Sequence, residues 1–62
     1  MITRYYHNRV LGAEYRVRKM NNVELYSVTE FYQGDRIQLC NNKLTFEEAH
    51  KMAKKLATRK SF

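Results

Sequence analysis

The chain has 62 residues, so it forms one domain at most, and a domain of this size buries only roughly 60 % of the surface its unfolded chain exposes. It carries 12 Lys and Arg against 6 Asp and Glu, a net charge of +6, with a single cysteine and no proline. One cysteine excludes an intrachain disulfide, no apolar run approaches the ~18–20 residues of a membrane-spanning helix, and two glycines cannot build a glycine-rich phosphate loop.

Met1-Ile2-Thr3-Arg4 is followed by no apolar stretch, so the expectation is a complete chain without a signal peptide. Residues 1–12 mix Tyr5, Tyr6, Val10 and Leu11 with Arg4, His7, Asn8 and Arg9, and end at Gly12. They fit either an extra edge strand or an ordered arm, and either would cover the open edge of the next strand. Residues 13–40 read as an antiparallel sheet rich in β-branched and aromatic side chains. Its strands are expected at about Ala13–Met20, Val23–Tyr32 and Arg36–Cys40.

Two turns set the expected register. With Asn21-Asn22 as a two-residue turn, Val17 faces Tyr26, Tyr15 faces Val28, and Lys19 pairs with Glu24. With Gly34-Asp35 as a second turn, Tyr32 faces Ile37 and Glu30 faces Leu39. Because strand residues alternate faces, Tyr15, Val17, Tyr26, Val28, Tyr32, Ile37 and Leu39 share one side. The other side collects Arg16, Arg18, Ser27, Thr29, Phe31, Arg36, Gln38 and Cys40, with Leu25 beyond them.

Asn41, Asn42 and Lys43 read as a loop before an amphipathic helix over 45–60. Thr45 and Glu48 have the spacing of a capping box, and Phe46, Ala49, Met52, Ala53, Leu56 and Ala57 form an apolar stripe. The outer helix face carries His50, Lys51, Lys54, Lys55, Thr58 and Arg59. The fold class is therefore α+β: a three-stranded, or with residues 1–12 four-stranded, antiparallel sheet with one C-terminal helix packed on one face.

Tyr15-Arg16-Val17, Tyr26-Ser27-Val28-Thr29-Glu30-Phe31-Tyr32 and Leu44-Thr45-Phe46-Glu47-Glu48-Ala49, with Ala53 and Leu56, resemble in outline small uncharacterised β-β-β-α domains of bacteria and phages. That resemblance spans roughly residues 13–57 and implies the fold and no activity. A fainter similarity is to sheet-based DNA readers, such as the arm domains of phage-type integrases, which lay an exposed sheet face in the major groove. It implies that Arg16, Arg18 and Arg36 would face DNA, by analogy of fold alone.

The charge is concentrated at the two ends. Residues 1–20 carry five bases and one acid, residues 21–45 two and three, and residues 46–62 five and two. A basic chain of this kind points to a polyanion partner, DNA or RNA. On the sheet face Arg16, Arg18 and Arg36 suit phosphates or guanine edges, Gln38 suits adenine, and Phe31 suits stacking on an unpaired base. Lys51, Lys54, Lys55 and Arg59 would hold a phosphate backbone. The plainer reading of both surfaces is a solvated sheet face and a solubilising helix face.

The alternative is a phage-type accessory protein that binds or inhibits a host protein through a sheet edge or through Leu25, Phe31, Tyr5 and Tyr6, and a homodimer through edge strands is a third arrangement. His7, His50 and Cys40 have no metal-ligand or nucleophile spacing, and Glu47 and Glu48 are explained by the helix cap. The expectation is a cytoplasmic, non-enzymatic protein without cofactor, metal or membrane contact.

Overall fold

The computed structural model describes residues 2–62; Met1 and the side chains of Ile2, Thr3, Asn41 and Asn42 lie outside the described residues. Four strands run as an antiparallel meander in the order β1-β2-β3-β4: β1 (Ile2–Asn8), β2 (Ala13–Lys19), β3 (Tyr26–Tyr32) and β4 (Asp35–Leu44). Helix α1 (Phe46–Thr58) packs across one face. The N-terminal segment is thus a strand, pairing Tyr6 with Tyr15 and Asn8 with Ala13.

Both expected registers are displaced by two residues. Val17 lies opposite Val28 and Tyr15 opposite Glu30, because the β2–β3 connection is longer than two residues and closes with Met20 N–H donating to the Leu25 carbonyl at 2.8 Å. Lys19 therefore faces Tyr26, and Glu24 stands in the connection. The second turn is Gln33-Gly34, one residue earlier than expected, so Tyr32 faces Asp35 and Glu30 faces Ile37. Its φ angles of 50° at Gln33 and 82° at Gly34 give the paired positive values of a tight hairpin turn. A displacement of two preserves the alternation of faces, so Tyr15, Val17, Tyr26 and Val28 still form the buried side.

β4 departs further. Its ten residues oppose seven of β3, with irregularities between Val28 and Thr29 and between Tyr26 and Val28. At the first, Thr29 pairs with Gln38 and Val28 with Cys40, which leaves Leu39 as the extra residue of a β-bulge. The bulge turns Cys40 inward, where it packs half-buried against the core instead of standing on the outer face. The strand also continues through 41–43, where a loop was expected. Ile37, expected in the core, is 51 % exposed, since the helix covers β1, β2 and β3 more than β4.

The helix begins as its cap dictates. Thr45 Oγ1 accepts from Glu48 N–H at 3.2 Å, and Glu48 Oε1 accepts from Thr45 N–H at 2.9 Å. The bond from Thr45 N–H and, after it, the Thr45 side chain hold the Glu48 carboxyl below its ordinary pKa. Ala49 and Ala53 face the sheet, and their small side chains let the helix approach Tyr15, Val17 and Val28, all fully buried. Tyr6, Leu44, Met52 and Leu56 close the margins of this core.

Candidate nucleic-acid interface

The outer sheet face, away from the helix, is laid out in cross-strand rows. Tyr5, Arg16, Thr29 and Gln38 form one row; His7, Glu14, Phe31 and Arg36 form the next; Arg18 pairs with Ser27 beyond. These rows place four of the expected sheet-face residues, Arg18, Phe31, Arg36 and Gln38, on one surface together with Arg16.

The residues do different things there. The Arg16 guanidinium carbon lies 4.0 Å from the Phe31 ring centroid and 5.2 Å from that of Tyr5. Its Nε donates to Glu14 Oε2, and His7 Nε2 stands 3.4 Å from the other carboxylate oxygen. Arg16 is therefore half-buried and paired, a filler between two rings rather than a cation offered to solvent. Tyr5 is 54 % exposed beside it.

Arg18 and Arg36 are exposed, and both line a hollow of about 480 Å³. Its floor is Ser27 and Thr29, only 4 % and 5 % exposed because the longer side chains around them rise higher. Gln38 stands at one side, and Lys19 at the end of β2, with Met20 and Asn21 of the β2–β3 connection, forms part of the wall. Among the described residues lining it there is no carboxylate. Two exposed arginines and several hydroxyl and amide groups around one concavity favour an anionic, hydrogen-bonding occupant.

The helix residues separate. Lys51, Lys54 and Lys55 are exposed, but they project from the layer opposite the hollow, so the two basic patches are back to back. Arg59 does not belong to the outer helix face. It lies past the last helical turn, and its Nη2 donates to Glu30 Oε2 at 3.3 Å and to the Tyr15 hydroxyl at 3.0 Å. Its guanidinium also sits 4.9 Å from the Phe62 ring centroid. His50 turns inward too, hydrogen-bonded to the Tyr6 hydroxyl and tilted against Phe46. Tyr6, considered above as a partner contact, is drawn into this inward cluster.

Two polar groups at the sheet–helix junction were not singled out by sequence. Glu30 is 8 % exposed on the helix side of β3 and accepts the Tyr15 hydroxyl at 2.8 Å. Asn8, 2 % exposed, bonds the helix end and the β1–β2 turn at once. For Glu30 a signal was present: the alternation that buries Tyr26 and Val28 also places Glu30 inward, where a carboxylate needs a partner.

Among the described residues no three His, Cys, Asp or Glu side chains gather as a metal site requires. No helix of the described residues is long and apolar enough to cross a membrane. Compared with known protein families, curated proteins and solved structures, the chain matches none.

Proposed function

We propose that the chain is a small, non-enzymatic, cytoplasmic protein that binds nucleic acid through its outer sheet face. The observation that supports this reading is the meeting of Arg18 and Arg36 at one concavity whose described lining holds no carboxylate, beside the Tyr5–Arg16–Phe31 stack. Exposed cations contact phosphates, and the rings and amides of the same face contact bases. The exposed lysines of α1 add long-range attraction from the opposite side, without sharing the contact surface.

The test is a salt titration of binding to fluorescent duplex DNA, single-stranded DNA and RNA, with Arg18→Ala/Arg36→Ala beside the wild type. Binding that falls steeply with salt and weakens in the double variant supports the reading. No binding at low salt removes it.

A second reading has its own observation. Met20, Val23 and Leu25, exposed by 43, 43 and 37 %, stand together in the β2–β3 connection. A protein partner, including a host protein if the chain is phage-encoded, would use this apolar tip. Val23→Ser/Leu25→Ser, which spares Met20 in the wall of the hollow, separates the two readings, since it abolishes protein capture and leaves nucleic-acid affinity intact.

A further inference from the structure

We infer that the nucleic acid taken by this face is single-stranded, with one nucleotide seated in the hollow between Arg18 and Arg36. This preference rests on the nucleic-acid reading above and specifies its substrate class.

A sheet that reads bases in the major groove of a duplex has to present its central side chains furthest forward, because the base edges lie at the bottom of a groove about 8.5 Å deep. Here the relief is inverted. Ser27 and Thr29 hold the central strand β3, and both are recessed beneath Arg18, Arg36 and Gln38. The phosphates of a duplex would rest on the rim, and its stacked bases would stay out of reach of the floor. A single strand has no such limit, since its unpaired bases swing out of the stack.

The hollow has the size for this. Its volume of about 480 Å³ falls inside the range of roughly 300–1,000 Å³ typical of small-ligand sites. Its chemistry is divided in the way a nucleotide requires. The hydroxyls of Ser27 and Thr29 and the amide of Gln38 both donate and accept hydrogen bonds, which suits a base edge or sugar, and the two arginines suit the phosphate.

The neighbouring nucleotide also has a place. Tyr5 and Thr29 lie in one cross-strand row, two strands apart, or roughly 10 Å at the usual strand spacing. The exposed Tyr5 ring, already stacked on Arg16, offers a platform for the next base.

The experiment is fluorescence anisotropy at low salt with labelled mixed-sequence oligonucleotides of about 12 nucleotides, a length within the site sizes of single-strand binders. Single-stranded DNA, single-stranded RNA and the matching DNA duplex are compared for wild type, Ser27→Leu and Arg36→Ala. The wild type is expected to bind at least one single strand about tenfold tighter than the duplex, the scale of one stacked base.

Ser27→Leu fills the hollow without changing charge, so it is expected to erase that preference while duplex affinity stays the same. Arg36→Ala weakens both. Equal or tighter duplex binding overturns the single-strand assignment and leaves nucleic-acid binding standing, whereas no binding to any probe overturns both. An intact preference in folded Ser27→Leu overturns the hollow as the seat. If circular dichroism shows Ser27→Leu unfolded, Gln38→Ala at the exposed rim takes its place, and an unchanged preference there overturns the assignment equally.

Discussion

The side-chain amide of Asn8 donates to the Arg59 carbonyl at 2.8 Å, and its second donor reaches the Leu56 carbonyl at 2.9 Å. Asn8 Oδ1 meanwhile accepts from Val10 and Leu11 N–H at 3.1 and 3.0 Å. All four hydrogen-bonding positions of the side chain are used, in a residue 2 % exposed. Asn8 thereby joins the β1–β2 turn to the carbonyls left open at the helix end. Asn8→Ala is expected to destabilise the fold by about 2–3 kcal/mol, measured by urea unfolding. Asn8→Asp is expected to be at least as harmful at neutral pH, since it sets a carboxylate against two carbonyls at the negative end of the helix dipole.

Tyr15, Glu30 and Arg59 form the other polar tie between sheet and helix. Tyr15→Phe removes the donor to a nearly buried carboxylate, and a loss of about 1–2 kcal/mol is expected. The pH dependence has a definite sign. Burial, then the hydrogen bond to Glu30, pushes the Tyr15 phenol above its ordinary value. The folded chain therefore keeps this proton longer than the unfolded chain, whose phenol titrates near pH 10. Stability is unaffected by this group below about pH 10 and falls as pH rises from there towards the folded pKa. The alkaline loss is expected to be smaller in Tyr15→Phe than in wild type, read as the difference between their denaturation midpoints across that range.

At the acid end Glu48 gives the opposite sign. Its folded pKa is lowered by hydrogen bonds from the Thr45 backbone and side chain, so its contribution is present above the ordinary glutamate range and is lost as pH falls through the folded value. Thermal melts of Glu48→Gln are expected to show a shallower acid-side decline than wild type. Identical acid limbs would mean that the cap does not couple to the charge of this carboxylate.

The faces of the sheet were legible in the sequence because alternation survives any even displacement of register. Placing Val17 against Tyr26 or against Val28 buries the same residues, so the core could be read without the correct turn. Cys40 could not be read this way. One extra residue at Leu39 reverses the alternation after it, and a bulge leaves no mark in the hydrophobic pattern. Arg59 misled for a related reason: a helical wheel assigns it outward, whereas the chain leaves the helix at Thr58 and its side chain turns back to Glu30. The hollow depends on the relative heights of side chains from three strands, which strand-by-strand reading does not supply. For the outer face itself, the alternation that placed Arg18, Arg36 and Gln38 together was sufficient.

Gln33 is a local conflict in an otherwise consistent hairpin. It takes φ 50° at the first position of a turn that favours Asn, while Gly34 beside it meets the φ 82° of the second position freely. Gln33→Asn is expected to stabilise the fold by about 0.5–1 kcal/mol, because Asn visits this region at lower cost. Gly34→Ala is expected to destabilise by about 1 kcal/mol from backbone strain alone, since no atom within 4 Å would meet the new methyl group. Both are read from urea midpoints, with unchanged slopes as the sign that only the turn is altered.

The pairing of Arg16 with Glu14 separates it from Arg18 and Arg36 in a way that binding can measure. A phosphate contact made by a free cation contributes about 0.7 to the slope of log affinity against log salt on single-stranded nucleic acid. Arg36→Ala and Arg18→Ala are each expected to lower that slope by about this amount, since both side chains are exposed at the hollow. Arg16 already has a carboxylate on its Nε and a ring 4.0 Å from its guanidinium carbon. Arg16→Ala is therefore expected to leave the slope unchanged and to weaken binding at every salt concentration, because Tyr5 and Phe31 lose the group that spaces them. It should also cost about 0.5–1 kcal/mol of stability from the lost stacking. A slope reduced as much by Arg16→Ala as by Arg36→Ala would mean that Glu14 releases the guanidinium when the ligand arrives, and that Arg16 joins the phosphate contacts directly.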